Sequence, residues 1–226
     1  MKKWENLPEY MKNEKVEYYY HILKRRQLEL KIKRIFDIIV SLLLLILLSP
    51  LCIVLALFIK VDSKGAILFR QVRITQYGKC FRIFKFRTMV ENAEQLGTQV
   101  TTQSDMRVTK IGKILRKYRL DEVPQLLNIL LGDMTFVGTR PEVQKYVEQY
   151  TDEMKATLLL PAGVTSEASM KYKDEEDLLQ SAQDADNIYV TKILPAKMNY
   201  NLKALENYSF WSDLRTMFLT IIEVVK

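Results

Sequence analysis

The sequence predicts a mixed α/β, helix-rich fold. A membrane-embedded helix–break–helix comes first, then a compact cytosolic domain with a short β-hairpin and interfacial amphipathic helices. Three observations predict it. An uncharged run, IIVSLLLLILLSPLCIVLALFI, extends from Ile38 to Ile59. Alternating patterns in AILFRQVRI and CFRIFKFRTM mark two strands joined by a turn. Apolar residues at helical spacing recur in the segments beyond. The expected units are 1–34, a basic leader helix suited to the membrane interface; 35–60, the membrane segment; and 61–226, the compact domain.

The chain's 226 residues suffice for one sizeable core and a small appendage. Cys52 and Cys80 offer neither a disulfide framework nor metal-ligand spacing. His21 stands alone and reads as a surface residue. The net charge of +7 is unevenly spread. Residues 1–34 carry about +5, residues 60–119 about +10 and residues 120–226 about −7. A basic middle calls for an anionic partner: phosphate, a membrane surface or nucleic acid. No reading helix or stacking motif supports nucleic acid.

The uncharged run, about 22 residues, is long enough to cross a hydrocarbon core as a straight helix. It is not a cleavable signal, because a long polar stretch precedes it and no small-residue cleavage site follows. Ser49-Pro50 sits near its middle, where proline removes a backbone donor and should kink the helix. Both flanks are basic: Lys31, Lys33 and Arg34 before, Lys60, Lys64, Arg70 and Arg73 after. Positive residues favour the cytoplasmic side. A re-entrant hairpin satisfies both flanks, although prolines also occur in spanning helices. In the leader, Tyr18, Tyr19 and Tyr20 among basic residues suit the headgroup layer, and a mobile polar leader is the alternative.

In the hairpin, period-two spacing places Lys85 and Arg87 on one side of the second strand, about 6–7 Å apart, where they could clamp phosphate oxygens. MVENAEQLG reads as a short helix and VTTQSDMRVTK as a loop. IGKILRKYRL has a helical face of Ile111, Ile114, Leu115 and Tyr118, with Arg116 and Arg119 elsewhere on the circumference. In LRKYRLDEVPQLLNILLGD, Val123, Leu126, Leu127 and Leu130 repeat at helical spacing and Gly132 supplies a stop, so a helix should begin near Asp121. A helix start favours an anionic carboxylate and equally a bound phosphate. With Arg116 close by, Asp121 should stay ionised. On this stretch alone, helix capping by Asp121 and Glu122 is the simpler reading.

GDMTFVGTRPE places Arg140 in a loop suited to bidentate phosphate contacts. LLLPAGVTSEASM reads as a second loop. Asp184 and Asp186 match an Asp-x-Asp metal pattern but sit in an acidic stretch that reads as a solvated face. The terminal YSFWSDLRTMFLTIIEVVK is an amphipathic helix offering Phe210, Trp211, Leu214, Met217, Phe218 and Ile221, to lie on the membrane or close the core.

KRIFDIIVSLLLLILLSPL, FRQVRITQYGKCFRIFKFRTM, SDMRVTKIGKILRKYRLDEVPQLLNILLGDMTFVGTRPE and PAGVTSE agree in order and spacing with one family, from about Lys33 to Glu167. On these motifs the chain resembles the small monotopic polyprenyl-phosphate phosphoglycosyl transferases, the bacterial sugar transferase family. The resemblance implies transfer of a sugar-1-phosphate from a nucleoside-diphosphate sugar, usually UDP-linked, to polyprenyl phosphate at the cytoplasmic face of the bacterial inner membrane. A nucleoside monophosphate leaves. The step would open capsule, exopolysaccharide or glycoconjugate synthesis. It also implies that Asp121 is the nucleophile of a covalent phospho-sugar intermediate, that Glu122 and a magnesium ion complete the centre, and that the membrane helix re-enters at Ser49-Pro50.

The physical requirements of that reaction point to Lys85, Arg87, Arg116 and Arg140 as the groups neutralising the diphosphate. The expected partners are the sugar nucleotide, polyprenyl phosphate and membrane lipid, with a homo-oligomer left open. Departures from the family pattern are Arg119 where Ser or Thr precedes Leu-Asp-Glu, Thr139 in Gly-Thr-Arg-Pro, and SEASM for Gly-Trp-Ala-Gln. They bear on sugar or nucleotide preference. The short leader resembles the family's minimal form. Two other readings compete: an Asp-x-Asp glycosyltransferase using Asp184 and Asp186, and a non-catalytic membrane-tethered anion-binding protein.

Overall fold

The computed structural model describes residues 1–93, 105–173 and 185–225. Two 3-10 turns, Trp4–Asn6 and Glu9–Met11, lead into α1 (Glu14–Arg25). Asn13 caps α1, its side chain accepting from the Val16 N–H at 2.9 Å. The leader contributes one face to the main core. Leu7, Met11, Val16, Tyr19, Tyr20 and Leu23 are buried against the segments 154–159 and 194–206. Of the three tyrosines, only Tyr18 is exposed.

Helix α2 (Gln27–Asp62) is a single helical run through Pro50, where the sequence predicts a break. Proline withholds the N–H that the Ile46 carbonyl would accept. The Ser49 hydroxyl donates to that carbonyl at 2.8 Å and replaces the missing bond. One stripe of α2 packs on the domain: Phe36, Val40, Leu44 and Leu48 against Leu126, Ile129 and Phe136, then Cys52, Leu55 and Ile59 against Phe86 and Leu115. The opposite stripe, including Leu43, Ile46, Leu47, Leu57 and Phe58, is exposed. The helix is long and apolar enough to cross a membrane.

Both ends of α2 are bonded to the same body. Near its start, buried Lys33 pairs with Asp37 at 3.1 Å and with Asp213 at 3.4 Å, and Asp37 accepts from the Thr135 hydroxyl at 2.5 Å. One cation thus serves two carboxylates, and burial, opposed by Lys33, pushes Asp213 up to about 6. Arg34 donates to the carbonyls of Ile129 and Leu130. At the far end, Arg87 donates to the carbonyls of Ile59, Ser63 and Lys64 at 3.3, 2.7 and 2.6 Å. Gly65 makes room for it, since a Cβ there would lie 2.1 Å from Arg87 Nη1. Asp62 accepts from the Ile111 N–H at 3.1 Å.

Strands β1 (Leu68–Ile74) and β2 (Cys80–Phe86) form the expected antiparallel hairpin, with Phe69 opposite Lys85 and Ile74 opposite Cys80. In MVENAEQLG, Met89 bridges Val108, Glu91 and Asn92 form a turn and Ala93 is 3-10 helical; the rest of that segment, like 100–104 of the following loop, lies outside the described residues. Helix α3 (Lys110–Lys117) buries Leu115 and half-buries Ile111, but Ile114 and Tyr118 are exposed. After α4 (Gln125–Leu131), β3 (Met134–Val137) pairs in parallel with β4 (Ala162–Thr165), a strand inside what the sequence presents as a loop. Gly138 and Gly163 allow the crossing, because a Cβ on Gly163 would meet the Gly138 backbone at 2.2 Å.

Short α5 (Gln144–Val147) lies between the paired strands, and α6 (Glu167–Lys171) follows β4, capped by Ser166. Helix α7 (Ala185–Ile188) passes through a π-helical turn, Tyr189–Ile193, into α8 (Leu194–Glu206). The last helix, α9 (Phe210–Val225), turns Asp213 inward and half-buries Leu214 and Met217, while Trp211, Phe218 and Ile221 are exposed.

Candidate active site

Three elements bring the charged groups together. Thr109 caps α3 through the Gly112 N–H at 3.0 Å and aims the helix at the acid pair. Arg119 then adopts a left-handed conformation, φ 52°, which reverses the chain into the 3-10 turn Leu120–Glu122. Leu120 packs beside Leu115, and Asp121 is buried. Helix α4 starts four residues later than Asp121, with Pro124 at its N-cap and no side-chain capping bond. Capping therefore does not account for the two acids.

Lys85, on β2, donates to Glu122 Oε1 at 3.0 Å. Arg140, beyond β3, bonds both Glu122 oxygens and donates to the Val164 carbonyl at 3.3 Å. Arg116 donates from Nε to the Thr88 hydroxyl at 3.1 Å. Burial works against the Glu122 carboxylate, but Arg140 and then Lys85 outweigh it and hold Glu122 well below the ordinary carboxylate range. Asp121 differs. Burial raises its carboxyl, Glu122 adds to the rise, and Lys85, Arg116 and Arg140 pull it back through space, without a hydrogen bond among the described residues.

Of the residues singled out in the sequence, the structure gathers Lys85, Arg116, Asp121, Glu122 and Arg140. It does not bring Arg87 to them. The strand ends at Phe86, and the Arg87 guanidinium turns to the end of α2. Asp184 lies outside the described residues, and Asp186 is engaged by Lys145 and by the Tyr146 hydroxyl, which hold its carboxyl below the usual range. Two neighbours went unnoticed in the sequence. Thr88 has no signal beyond its place after the strand, whereas Gln125 is a polar residue at helical spacing among buried apolar ones.

The donor set contains two adjacent carboxylates, and no cluster of three or more His, Cys, Asp or Glu occurs among the described residues. Such a pair fits a hard divalent ion that completes its shell with substrate phosphate oxygens and water. It does not fit a closed structural metal site. A carboxylate without a hydrogen bond, inside a ring of cations that screens an approaching anion, is the arrangement a nucleophile toward phosphorus requires.

Comparison with known proteins identifies the family. A profile described as bacterial sugar transferase matches residues 28–226. The chain is 37% identical over 193 residues to a UDP-N-acetylgalactosamine-undecaprenyl-phosphate N-acetylgalactosaminephosphotransferase of Aeromonas hydrophila, covering 84% of this chain and 43% of the relative. It is 37% identical over 195 residues to a UDP-glucose:undecaprenyl-phosphate glucose-1-phosphate transferase of Klebsiella pneumoniae, covering 84% and 39%. The chain therefore spans about two fifths of these curated relatives. With the exopolysaccharide production protein ExoY of Sinorhizobium fredii, 34% identity over 204 residues covers 84% of this chain and 83% of the relative.

Proposed function

Because the chain belongs to the bacterial sugar transferase family, we propose that it moves a sugar-1-phosphate from a nucleoside-diphosphate sugar onto polyprenyl phosphate. UDP is the expected nucleotide, since the two most similar relatives described are named for UDP-sugars. The observation that carries the reading is the asymmetry of the acid pair: among the described residues, Glu122 takes the hydrogen bonds of Lys85 and Arg140, while Asp121 takes none.

An Asp121 carboxylate oxygen attacks the sugar-bearing phosphorus in line with the bond to the nucleoside phosphate. That P–O bond breaks, the nucleoside monophosphate leaves with its electron pair, and a new O–P bond joins phospho-sugar to Asp121. A phosphate oxygen of polyprenyl phosphate then attacks the same phosphorus and releases the carboxylate. Lys85, Arg116 and Arg140 offset the negative charge that would otherwise repel each nucleophile. Magnesium, held by Asp121 and Glu122, would further neutralise the diphosphate. Two steps on one carboxylate let both anionic substrates use one site in turn.

The lipid substrate requires a membrane, and α2 supports a re-entrant placement. Its exposed stripe is apolar, and its two ends are held by one domain, which cannot sit on both faces of a bilayer. The basic flanks favour the cytoplasmic face of the inner membrane. The Asp-x-Asp alternative has less support, as Asp186 is engaged by Lys145 and Tyr146.

The test is nucleoside monophosphate release from a panel of sugar nucleotides with magnesium, with and without polyprenyl phosphate, for the wild type and Asp121→Asn. Asp121-dependent release with phospho-sugar on the protein in the absence of lipid is expected. Wild-type turnover by the Asn variant would sink the reading.

A further inference from the structure

Gln125 is 1% exposed, and neither its Oε1 nor its Nε2 has a partner among the described residues. Buried amides are ordinarily satisfied, and the same helix shows how. Asn128, fully buried, accepts from the Phe84 N–H at 2.8 Å and donates to the Arg82 carbonyl at 2.9 Å, so its amide docks on the edge of β2.

From Leu120 to Leu127 the backbone runs on three-residue bonds: Val123 N–H to the Leu120 carbonyl, Leu126 to Val123 and Leu127 to Pro124. Residues three apart therefore share a face. Glu122, Gln125 and Asn128 form such a row, continued into the first turn of α4. The members on either side of Gln125 both bond to β2, Glu122 through Lys85 and Asn128 through the backbone. Gln125 is the member of the row without a bond.

Glu122 is saturated at rest, but its partners are the cations that an incoming diphosphate recruits. A buried carboxylate that loses them is costly unless another donor replaces them. We propose that Gln125 is a positioning residue whose side-chain amide takes over Glu122 when substrate phosphate draws Lys85 away. Its Nε2 donates to the oxygen that Lys85 leaves, which keeps Glu122 in place and releases Lys85 to the phosphate. This exchange rests on the phosphoglycosyl transfer reading.

Gln125→Met, close in shape and unable to hydrogen-bond as an amide, tests it in the full chain, with Gln125→Glu as a variant that keeps acceptors but loses the donor. Removing two unsatisfied buried atoms should leave the Tm of the Met variant unchanged or raise it by about 2–4 °C. The rate kcat should fall about ten- to hundredfold in both variants, the worth of a hydrogen bond to a charged group, with KM for the sugar nucleotide little changed. A lower Tm in the Met variant would show that the amide has a structural partner and overturn the proposal, as would wild-type kcat. Asp121→Asn is run alongside. If it stays active, the aspartyl mechanism fails whatever Gln125 does; if it is dead while Gln125→Met is fully active, only the exchange fails.

Discussion

Lys85 stands 3.0 Å from Glu122 and forms no hydrogen bond to Asp121, the residue beside it in sequence. Among the described residues the pair is thus divided into a carboxylate that holds the cations and one without a hydrogen bond. Adjacent acids of the same chemical type take different roles because one meets the guanidinium and ammonium groups and the other meets only their field.

Glu122→Gln should collapse that division. Lys85 and Arg140 would turn toward Asp121 and tie up its attacking oxygens. Turnover is expected to fall about a hundredfold with a stability loss of about 1–3 kcal/mol, smaller than for an orphaned buried pair because Asp121 becomes the new partner. Kinetics and thermal unfolding of the same preparation check it; unchanged turnover would be the contrary result.

In the aspartyl mechanism proposed above, Asp121 must be ionised to attack, and its carboxyl is raised above the ordinary 3.8 mainly by burial. The acid limb of a single-turnover pH–rate profile should therefore rise with pH through a midpoint above 3.8. Arg140→Gln removes a charge that pulls the carboxyl down and should move that midpoint further up, whereas a shift downward would contradict the assignment.

Arg87→Gln separates helix capping from phosphate binding. Loss of its bonds to the carbonyls of Ile59, Ser63 and Lys64 should cost about 2–4 kcal/mol of stability. KM for the sugar nucleotide at a temperature where the variant is folded should stay within about twofold. A large KM increase without loss of Tm would instead place Arg87 on the substrate.

Ser49 and Pro50 should couple. Ser49→Ala is expected to cost about 1 kcal/mol by leaving the Ile46 carbonyl unbonded. In a Pro50→Ala background the backbone N–H is restored and the same change should cost much less. Equal costs in both backgrounds, measured by unfolding in detergent or nanodiscs, would exclude the replacement bond.

The hairpin, the acid pair and the apolar helix were legible because each follows a local rule: alternation in CFRIFKF, the Asp121-Glu122 pair ahead of proline, an uncharged run. The leader's core-facing side went unread, although Val16, Tyr19, Tyr20 and Leu23 have the spacing of a buried helical face; the surrounding charges obscured it. The β3–β4 pair lay beyond local reading, because two strands of four residues meet through a parallel crossover and the Gly138–Gly163 approach. Alternation alone put Arg87 beside Lys85, since the strand's end at Phe86 is decided by α2, a tertiary partner.

A spanning anchor works as a ruler: its apolar length must match the bilayer, and a mismatch sorts proteins among membranes of different thickness. Helix α2, clamped at both ends to one domain, is not measured that way. On the re-entrant placement proposed above, what it inserts is area into one leaflet, so the protein's membrane preference should follow lipid packing and curvature and be indifferent to thickness.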